Sequence, residues 1–322
     1  MNEFALISRH FQRAPRSAAV RVGIGDDGAV VAATPGMEWV VSVDMLVEGR
    51  HFFAGTDATR LGHKSLAVNL SDLAAMGAAP RFALLAGALP VADEEWLATF
   101  MQGFRALADR FGIELIGGDT TRGPRNVCVT VIGDVPAGMA ITRAGAAPGD
   151  DIYVSGTLGD AALALAALER RTKLSAIELE RAQIRLEQPE PRVAFGERLR
   201  GIASAALDVS DGLVGDLGHI LERSQVGAAV ELARVPHSAA LADKLAGAEH
   251  ALALHCLLAG GDDYELCFCA PAAARAKIAD LSDALDLPVA RIGAITTGNS
   301  LIVTDADGGT MALPRAFDHF AA

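Results

Sequence analysis

The sequence predicts a two-domain protein of the α/β class, in which strand-like runs and amphipathic helices alternate in both halves. Its 322 residues are more than one ordinary core holds, and 51% hydrophobic residues supply apolar surface for two cores. The stretch 136–150 is rich in glycine and proline, as linkers are. We therefore expect an N-terminal α/β domain with a mixed sheet over residues 1–138 and a C-terminal α/β domain over residues 139–322.

In the N-terminal half, the pattern predicts five strands and two helices. The clearer helix is the second, because apolar residues recur at steps of three and four from Leu97 to Phe111 and Asp93 is suited to cap it. The first strand leads through a glycine-rich loop into β-branched residues, so we expect another strand after that loop. The strands are expected at 20–25, 39–43, 81–89, 113–116 and 127–135, and the helices at 57–77 and 93–111.

The C-terminal half continues the alternation of strands and helices. Strands are expected at 151–155, 205–209, 228–232 and 264–269, and helices at 158–171, 211–222 and 272–285.

Composition excludes several classes of protein. The net charge of −12 argues against a nucleic-acid surface, which needs a basic patch. No apolar run reaches the ~18 residues of a membrane span, and the N-terminus lacks the apolar region of a signal peptide. The four cysteines have no CxxC spacing and are expected to be buried structural thiols. We expect a cytoplasmic protein that binds neither membrane nor nucleic acid.

Aspartate-rich segments recur where strands end or helices begin. Such clusters are costly unless cations neutralise them, which indicates several divalent metal ions and polyphosphate chemistry. The segments are GIGDDGAV (23–30), SVD (42–44), NLSD (69–72), GGDTTRG (117–123), LDVSDG (207–212) and GGDDYE (260–265).

Three of these segments supply candidate ligands in the first 72 residues. The loop at 23–28 has G-x-G-x-x-G spacing, but Asp26 and Asp27 would repel a bare pyrophosphate, so we expect either a loop that brings Asp27 to a metal or a solvated turn. Ser42 and Asp44 are two residues apart and share a strand face, as they also would on a half-exposed edge strand. Asp72 lies within an otherwise apolar helix and needs either a metal or a structural partner.

The remaining segments follow the same logic. GGDTTRG is expected to follow the end of a buried strand, where Gly117 and Gly118 allow close approach of a phosphate or base and Asp119 binds metal. Arg122 or Arg143 would hold phosphate. In LDVSDG, Asp208 and Ser210 are expected on one strand face. Asp211 at the next helix would either cap it or bind metal.

In order and spacing, these motifs resemble the bacterial thiamine-monophosphate kinases over essentially the whole chain. The resemblance also includes TRAGAAPGDDIYVSGTLGD (142–160) and the terminal AFDHF (316–320). It implies a fold like that of aminoimidazole ribonucleotide synthetase, with an N-terminal domain that dimerises around a shared β-barrel. The implied reaction is ATP-dependent phosphorylation of thiamine monophosphate to thiamine diphosphate, the last step of thiamine diphosphate synthesis.

The resemblance also implies roles for individual residues. The magnesium ligands would be Asp27, Ser42, Asp44, Asp72, Asp119, Asp208 and Asp211, with the carbonyl of Val43. ATP would contact Gly118, Asp119, Arg143 and Ser210, and thiamine monophosphate would contact His51, Asp262 and Phe317. The family usually has glutamate in place of Asp262 and threonine in place of Val43.

The chemistry fits these residue types. The attacking phosphate monoester has a second pKa of about 6, so no general base is expected and a direct in-line transfer needs positioning and charge neutralisation by several Mg²⁺ ions. The apolar strands 81–89 and 127–135 have two helices to cover them, so we expect a homodimer through the N-terminal domain. Two alternatives stay open: an enzyme like aminoimidazole ribonucleotide synthetase, and a non-catalytic nucleotide- or metal-binding regulator.

Overall fold

The structure is a computed structural model that describes residues 3–314, and the chain divides into two compact units. The first unit comprises the residues up to Leu73 together with Ala78–Gly138. The second comprises Ala74–Gly77 and the residues from Met139 onward. The main boundary between the units, at Gly138 and Met139, therefore lies within the glycine- and proline-rich stretch.

The first unit contains a mixed sheet of four strands in the order β3-β6-β4-β5. β6 is antiparallel to both β3 and β4, whereas β4 and β5 are parallel. β1 and β2 form a separate antiparallel pair, which confirms a strand after the glycine-rich loop. The elements are α1 (Glu3–His10), β1 (Val20–Val22), β2 (Val30–Val31), β3 (Met37–Val47), α2 (Ala58–Ala75), β4 (Ala79–Leu89), α3 (Glu94–Phe111), β5 (Glu114–Arg122) and β6 (Asn126–Pro136).

Helix α3 has the signals that the sequence predicted for it. Asp93 is the N-cap and accepts a hydrogen bond from the Trp96 N–H at 3.0 Å, while Gly112 ends the helix with φ of 66°. α3 and α2 cross at a glycine on each helix: a Cβ on Gly62 would lie 2.0 Å from the Phe100 carbonyl oxygen, and one on Gly103 would lie 1.8 Å from that of Thr59. The close crossing therefore requires both glycines.

The second unit is built on a six-stranded sheet in the order β12-β9-β11-β7-β10-β8. Its pairs are antiparallel except β12 with β9. The elements are β7 (Asp151–Ser155), α4 (Asp160–Leu168), α5 (Ala176–Glu187), α6 (Val193–Leu199), β8 (Ala205–Asp208), α7 (Leu213–Ser224), β9 (Gly227–Glu231), α8 (Ala239–Ala246), α9 (His250–Ala259), β10 (Leu266–Ala270), α10 (Arg275–Leu285), β11 (Val289–Thr296) and β12 (Leu301–Thr304).

The cysteines follow the prediction in three cases of four. Cys256, Cys267 and Cys269 are buried, and Cys128 is partly exposed. Among residues 3–314, no helix is both long enough and apolar enough to cross a membrane.

Candidate functional site

Two neighbouring side chains of β3 face helix α2. Ser42 and Asp44 are partly buried and alternate with the exposed Val41, Val43 and Met45, which confirms that they share one face of the strand. β3 is also an edge strand, the alternative that the sequence left open.

Helix α2 supplies two polar residues to the same place. The Ser42 hydroxyl donates to Asp72 Oδ2 at 2.5 Å, and the Asp44 backbone N–H donates to Asn69 Oδ1 at 3.0 Å. Asp72 is partly buried in the last turn of α2, which ends at Ala75, so the predicted mid-helix position is wrong, and Asn69 is fully buried. Ser42 is therefore the structural partner that a buried Asp72 needs, and the Asp72 residue stays partly accessible.

We call Ser42, Asp44, Asn69 and Asp72 the β3–α2 polar group. All its donor atoms suited to a metal are oxygens, the type that Mg²⁺ prefers, and two of the side chains are carboxylates. The residues thus fit a hard divalent cation. Among the described residues 3–314, however, no group of three or more His, Cys, Asp or Glu side chains is arranged as a metal site.

The glycine-rich loop carries Asp27 on the surface of the first unit. Gly25 has φ of 122°, and the Asp27 N–H donates to Asp26 Oδ1 at 2.9 Å, as in an aspartate-stabilised turn. Both carboxylates are exposed. The loop is therefore a solvated turn, one of the two predicted alternatives, and the Asp27 side chain is accessible.

The predicted position of GGDTTRG is wrong, because the segment does not follow the strand but lies within it. β5 begins at Glu114, one residue after the expected start, and continues through Arg122. Its pairing with the parallel β4 extends to Arg122 opposite Leu89 and carries the glycines and Asp119 into the ladder. A Cβ on Gly118 would lie 1.9 Å from the Leu85 carbonyl oxygen, so Gly118 is required by its neighbour strand.

The register also separates Asp119 from the β3–α2 polar group. β5 and β3 are the two edges of the sheet. Residues that pair across neighbouring strands project from the same face of the sheet. The pairs Asp119–Ala86, Ala86–Cys128 and Cys128–Met45 therefore place Asp119 on the exposed face that Met45 occupies. Ser42 and Asp44 project from the other face.

His51 lies in a tight turn after β3. The ring atom Nδ1 of His51 accepts a hydrogen bond from the backbone N–H of Val47 at 3.0 Å. The backbone N–H of His51 donates to the Val47 carbonyl. A neutral ring in this arrangement carries its proton on Nε2. The turn is anchored by an ion pair of 2.6 Å between Glu48 and Arg125, whose guanidinium lies 4.6 Å from the Trp96 ring centroid.

In the second unit, the LDVSDG segment differs from its prediction in two respects. β8 ends at Asp208, so Ser210 lies beyond the strand and the expected shared strand face with Asp208 is wrong. The N-cap of α7 is Gly212, one residue beyond Asp211, so the capping interpretation of Asp211 is also wrong. The chain leaves the sheet here because the N–H groups of Ser210 and Asp211 donate to Asp216 of α7 and not to a neighbouring strand.

The LDVSDG and GGDDYE segments are hydrogen-bonded to each other. The Tyr264 N–H donates to the Val209 carbonyl at 2.8 Å, and the Asp262 N–H donates to the Ser210 carbonyl at 2.9 Å. A Cβ on Gly261 would lie 2.3 Å from the Ser210 oxygen, so this close approach requires glycine. The two motifs therefore form one scaffold.

The acidic residues of GGDDYE have different environments. Asp262 is partly exposed, with φ of 69° and a hydrogen bond of 3.2 Å from the Tyr264 hydroxyl. Asp263 is buried and accepts the Gly159 N–H through both oxygens, and burial raises the pKa of Asp263 well above its usual range. Glu265 is fully buried and pairs with Arg185 and Arg192. Asp263 and Glu265 thus support the loop.

Sequence reasoning missed Asn69 and Asp216. Asn69 lies three residues before Asp72 on the same helical face, a spacing that could have indicated it. Asp216 is buried in the first turn of α7 and accepts the N–H groups of Ser210 and Asp211. Burial raises its pKa to about 7, and hydrogen bonds from the two amides oppose that shift.

Known proteins resemble the chain over its full length. The family models of the AIR synthase related protein match residues 25–135 with the N-terminal domain and residues 147–306 with the C-terminal domain. The thiamine-monophosphate kinase of Escherichia coli (strain K12) is 43% identical over 99% of this chain and 98% of its own. The chain belongs to the thiamine-monophosphate kinase family. The family member of Bacillus subtilis (strain 168) is 35% identical over 99% of this chain and 100% of its own.

Solved structures agree with this family. The crystal structure of thiamine-monophosphate kinase from Stenotrophomonas maltophilia K279a matches with a TM-score of 0.87 and 48% identity, covering 96% of this chain and 98% of that one. AaThiL complexed with AMPPCP and TMP matches with a TM-score of 0.77 and 27% identity, covering 98% and 96%. The hydrogenase maturation protein HypE of E. coli, at 20% identity and a TM-score of 0.78, shares the fold.

The predicted family, the two-domain α/β fold and the assignment as a kinase are confirmed by these relatives. The individual site residues stay predictions. Phe317 and the AFDHF segment lie outside the described residues.

Proposed function

We propose that this protein transfers the γ-phosphoryl group of ATP to thiamine monophosphate and forms thiamine diphosphate, as the last step of thiamine diphosphate synthesis. The observation that supports this most is the 43% identity to a thiamine-monophosphate kinase over nearly the whole of both chains. A second support is the relative of known structure that is complexed with AMPPCP, an ATP analogue, and TMP.

Magnesium ions would be held by oxygen ligands of both units. In the first unit Ser42, Asp44 and Asp72 would form one set, and Asp27, Asp119 and the carbonyl of Val43 would be ligands of further ions, since Asp119 projects from the other face of the sheet. In the second unit the ligands would be Asp208 and Asp211. When bound, Mg²⁺ would neutralise the charge that accumulates on the phosphates. The contact between the Ser42 hydroxyl and Asp72 supports the first set, because it already brings two oxygen donors together.

The nucleotide would contact Gly118, Asp119, Arg143 and Ser210. Gly118 supports this role because it is exposed on β5, an edge strand of the sheet. The guanidinium of Arg143 is exposed and suited to a phosphate.

Thiamine monophosphate would contact His51, Asp262 and Phe317. Because Nδ1 of His51 accepts the Val47 N–H, a neutral His51 would meet the substrate as a hydrogen-bond donor through Nε2. The partly exposed carboxylate of Asp262 is suited to the cationic thiazolium ring. The shorter side chain, compared with the usual glutamate, is accompanied by a left-handed backbone at Asp262.

The transfer itself would need no general base. The acceptor phosphate is largely deprotonated near neutral pH, since its second pKa is about 6. His51 is also unsuited to take a proton through Nδ1, which is already a hydrogen-bond acceptor. The residues of the site would therefore act by orienting two polyanions for a direct in-line transfer.

A homodimer would form through the first unit. Trp39, Val41, Val43 and Met45 are 46%, 59%, 57% and 53% exposed along one face of β3. On the neighbouring strand, Ile132, Thr130 and Cys128 continue this face opposite Val41, Val43 and Met45. An apolar sheet face of this kind is normally covered, and a second copy of the same face would cover it symmetrically.

We place the protein in the cytoplasm. All four cysteines are free thiols, which is the usual state in a reducing compartment.

Release of ADP that depends on thiamine monophosphate tests the proposal. We expect ADP only when ATP, Mg²⁺ and thiamine monophosphate are all present. ADP release with formylglycinamidine ribonucleotide instead would favour the aminoimidazole ribonucleotide synthetase alternative. ATP binding without turnover of either substrate would favour a regulator.

A further inference from the structure

The carboxylate of Asp216 lies beneath the loop that carries Ser210 and Asp211. Asp216 is only 4% exposed. Its Oδ2 atom accepts the backbone N–H groups of Ser210 and Asp211, each at 2.9 Å. A single buried oxygen therefore fixes two consecutive amide groups of the loop.

The opposite side of the same loop is held by the GGDDYE segment. The carbonyl groups of Val209 and Ser210 accept the N–H groups of Tyr264 and Asp262. Behind the loop, a Cβ on Gly212 would lie 2.6 Å from the backbone of Ala259, so the chain cannot shift in that direction. With carbonyls held on one side and amides on the other, the peptide planes at 209–211 have a fixed orientation, and this orientation sets the direction of the side chains.

We propose that Asp216 is a positioning residue for phosphoryl transfer: it orients the 208–212 loop so that Ser210 and Asp211 present their side chains correctly to the nucleotide and its metal. This inference rests on the proposed function, which takes Asp208, Ser210 and Asp211 as contacts. Because Asp216 is buried, it would act through the loop and not by touching the substrates. Misplacing a positioned group by about 1 Å can cost ~100-fold in rate, so the role is kinetically visible.

The structure separates this role from one that depends on the charge of Asp216. Because one oxygen accepts both amides, the carbonyl oxygen of asparagine can make the same two hydrogen bonds in nearly the same volume. Alanine leaves both amides without their acceptor. A residue that acts through its negative charge, for example as another metal ligand, would lose its function in the asparagine variant as well.

The test compares kcat, the KM for ATP and the Mg²⁺ concentration for half-maximal activity in the wild type, Asp216→Asn and Asp216→Ala. We expect Asp216→Ala to lower kcat by about tenfold to 100-fold and to raise the Mg²⁺ requirement, and Asp216→Asn to stay within about threefold of the wild type. Asp151→Asn is the matched control. Asp151 is a carboxylate of the same unit, 1% exposed, whose partners are Arg275 and Arg291. That variant should lower the melting temperature without changing the Mg²⁺ requirement.

Two results would overturn the inference: equal losses in Asp216→Asn and Asp216→Ala, or an unchanged kcat and Mg²⁺ requirement in a folded Asp216→Ala. If the alanine variant does not fold, Asp216→Leu replaces it, and if neither folds, a large loss in Asp216→Asn alone contradicts the inference.

Amide hydrogen exchange gives a readout that does not need turnover. Exchange at Ser210 and Asp211 should be slow in the wild type and in Asp216→Asn, and fast exchange in the wild type would contradict the geometry. Absence of turnover by the wild type with slow exchange would instead count against the proposed function.

Discussion

The hydroxyl of Ser42 on β3 donates a hydrogen bond to Asp72 Oδ2 on α2, with 2.5 Å between the two oxygens. The contact joins a strand residue to a helix residue 30 positions later, and Asn69 adds a second link to Asp44. The Asp72 carboxylate and the Asp44 backbone are thus held by neighbours before any ligand arrives, which limits the reorganisation needed to bind a cation.

Removing a carboxylate charge from this group should abolish most of the activity. We expect Asp44→Asn or Asp72→Asn to lower kcat by orders of magnitude, because a ligand charge is lost with little change in volume, while the melting temperature stays close to that of the wild type. Asp109→Asn is the control, since Asp109 is an exposed carboxylate of the same unit that pairs with Arg13 and Arg16. Near-normal activity of both site variants at saturating Mg²⁺ would show that these carboxylates are structural.

At the crossing of α2 and α3, we expect one added methyl group to lower the stability of the fold strongly. A Cβ on Gly103 would lie 1.8 Å from the Thr59 carbonyl oxygen, so Gly103→Ala should force the helices apart and cost about 3 kcal/mol of unfolding free energy or more. Gly218 in α7 has no atom within 4 Å of its Cβ position. Gly218→Ala should therefore raise the stability by up to about 1 kcal/mol. Chemical denaturation measures both, and equal effects would refute the packing argument.

The stability of the second unit should depend on pH through Asp160. Burial raises the pKa of Asp160 above its ordinary 3.8, while a hydrogen bond from Ser238 and the charges of Arg185 and His237 oppose the shift. Nearby Asp263 adds negative charge. The folded protein therefore holds this proton more tightly than the unfolded chain, so the stability from Asp160 is present below pH 3.8 and is lost as the pH rises through the raised pKa.

Asparagine stays neutral and lacks this dependence. As the pH rises above 3.8, the unfolding free energy of Asp160→Asn should rise relative to that of the wild type, by at most about 1.4 kcal/mol per pH unit. The comparison is repeated in a His237→Gln background, because the charge of His237 also acts on Asp160. Parallel curves for wild type and variant would contradict this prediction.

The exposed face of β3 predicts the assembly state. Light scattering at micromolar concentration should give about twice the chain mass of 33.4 kDa. Val41→Glu should shift the protein toward monomer, whereas Val91→Glu should not, although the two valines are 59% and 60% exposed. A monodisperse, fully active wild-type monomer would refute both the dimer and the argument from the uncovered sheet face.

The sequence predicted the elements whose signals are local. The cap at Asp93 and the spacing from Leu97 to Phe111 located α3, and alternation located Ser42 and Asp44 on one face of β3. Side-chain patterns were insufficient where residues distant in sequence determine the end of a strand or the role of a side chain. β5 extends to Arg122 because β4 pairs with it that far, although glycine and aspartate are poor strand residues.

The second unit shows the same limit. Four helices were missed, and among them α9 packs Ala253, Cys256 and Leu257 into the hydrophobic core but has little periodicity in sequence, because it is apolar on most of its surface. The role of Glu265 depends on Arg185 and Arg192, which lie 80 and 73 positions away. Local spacing carries no information about such pairs, so the sequence grouped the three acidic residues of GGDDYE whereas the fold distinguishes Asp262 from its buried neighbours.

Identification of the phosphorylated product is the decisive measurement for the proposed reaction. The purified wild-type protein is incubated with ATP, Mg²⁺ and thiamine monophosphate, and the products are identified by mass, with Asp72→Asn as the matched control. We expect equal amounts of ADP and thiamine diphosphate from the wild type and almost none from the variant. Absence of thiamine diphosphate, together with turnover of formylglycinamidine ribonucleotide, would contradict it.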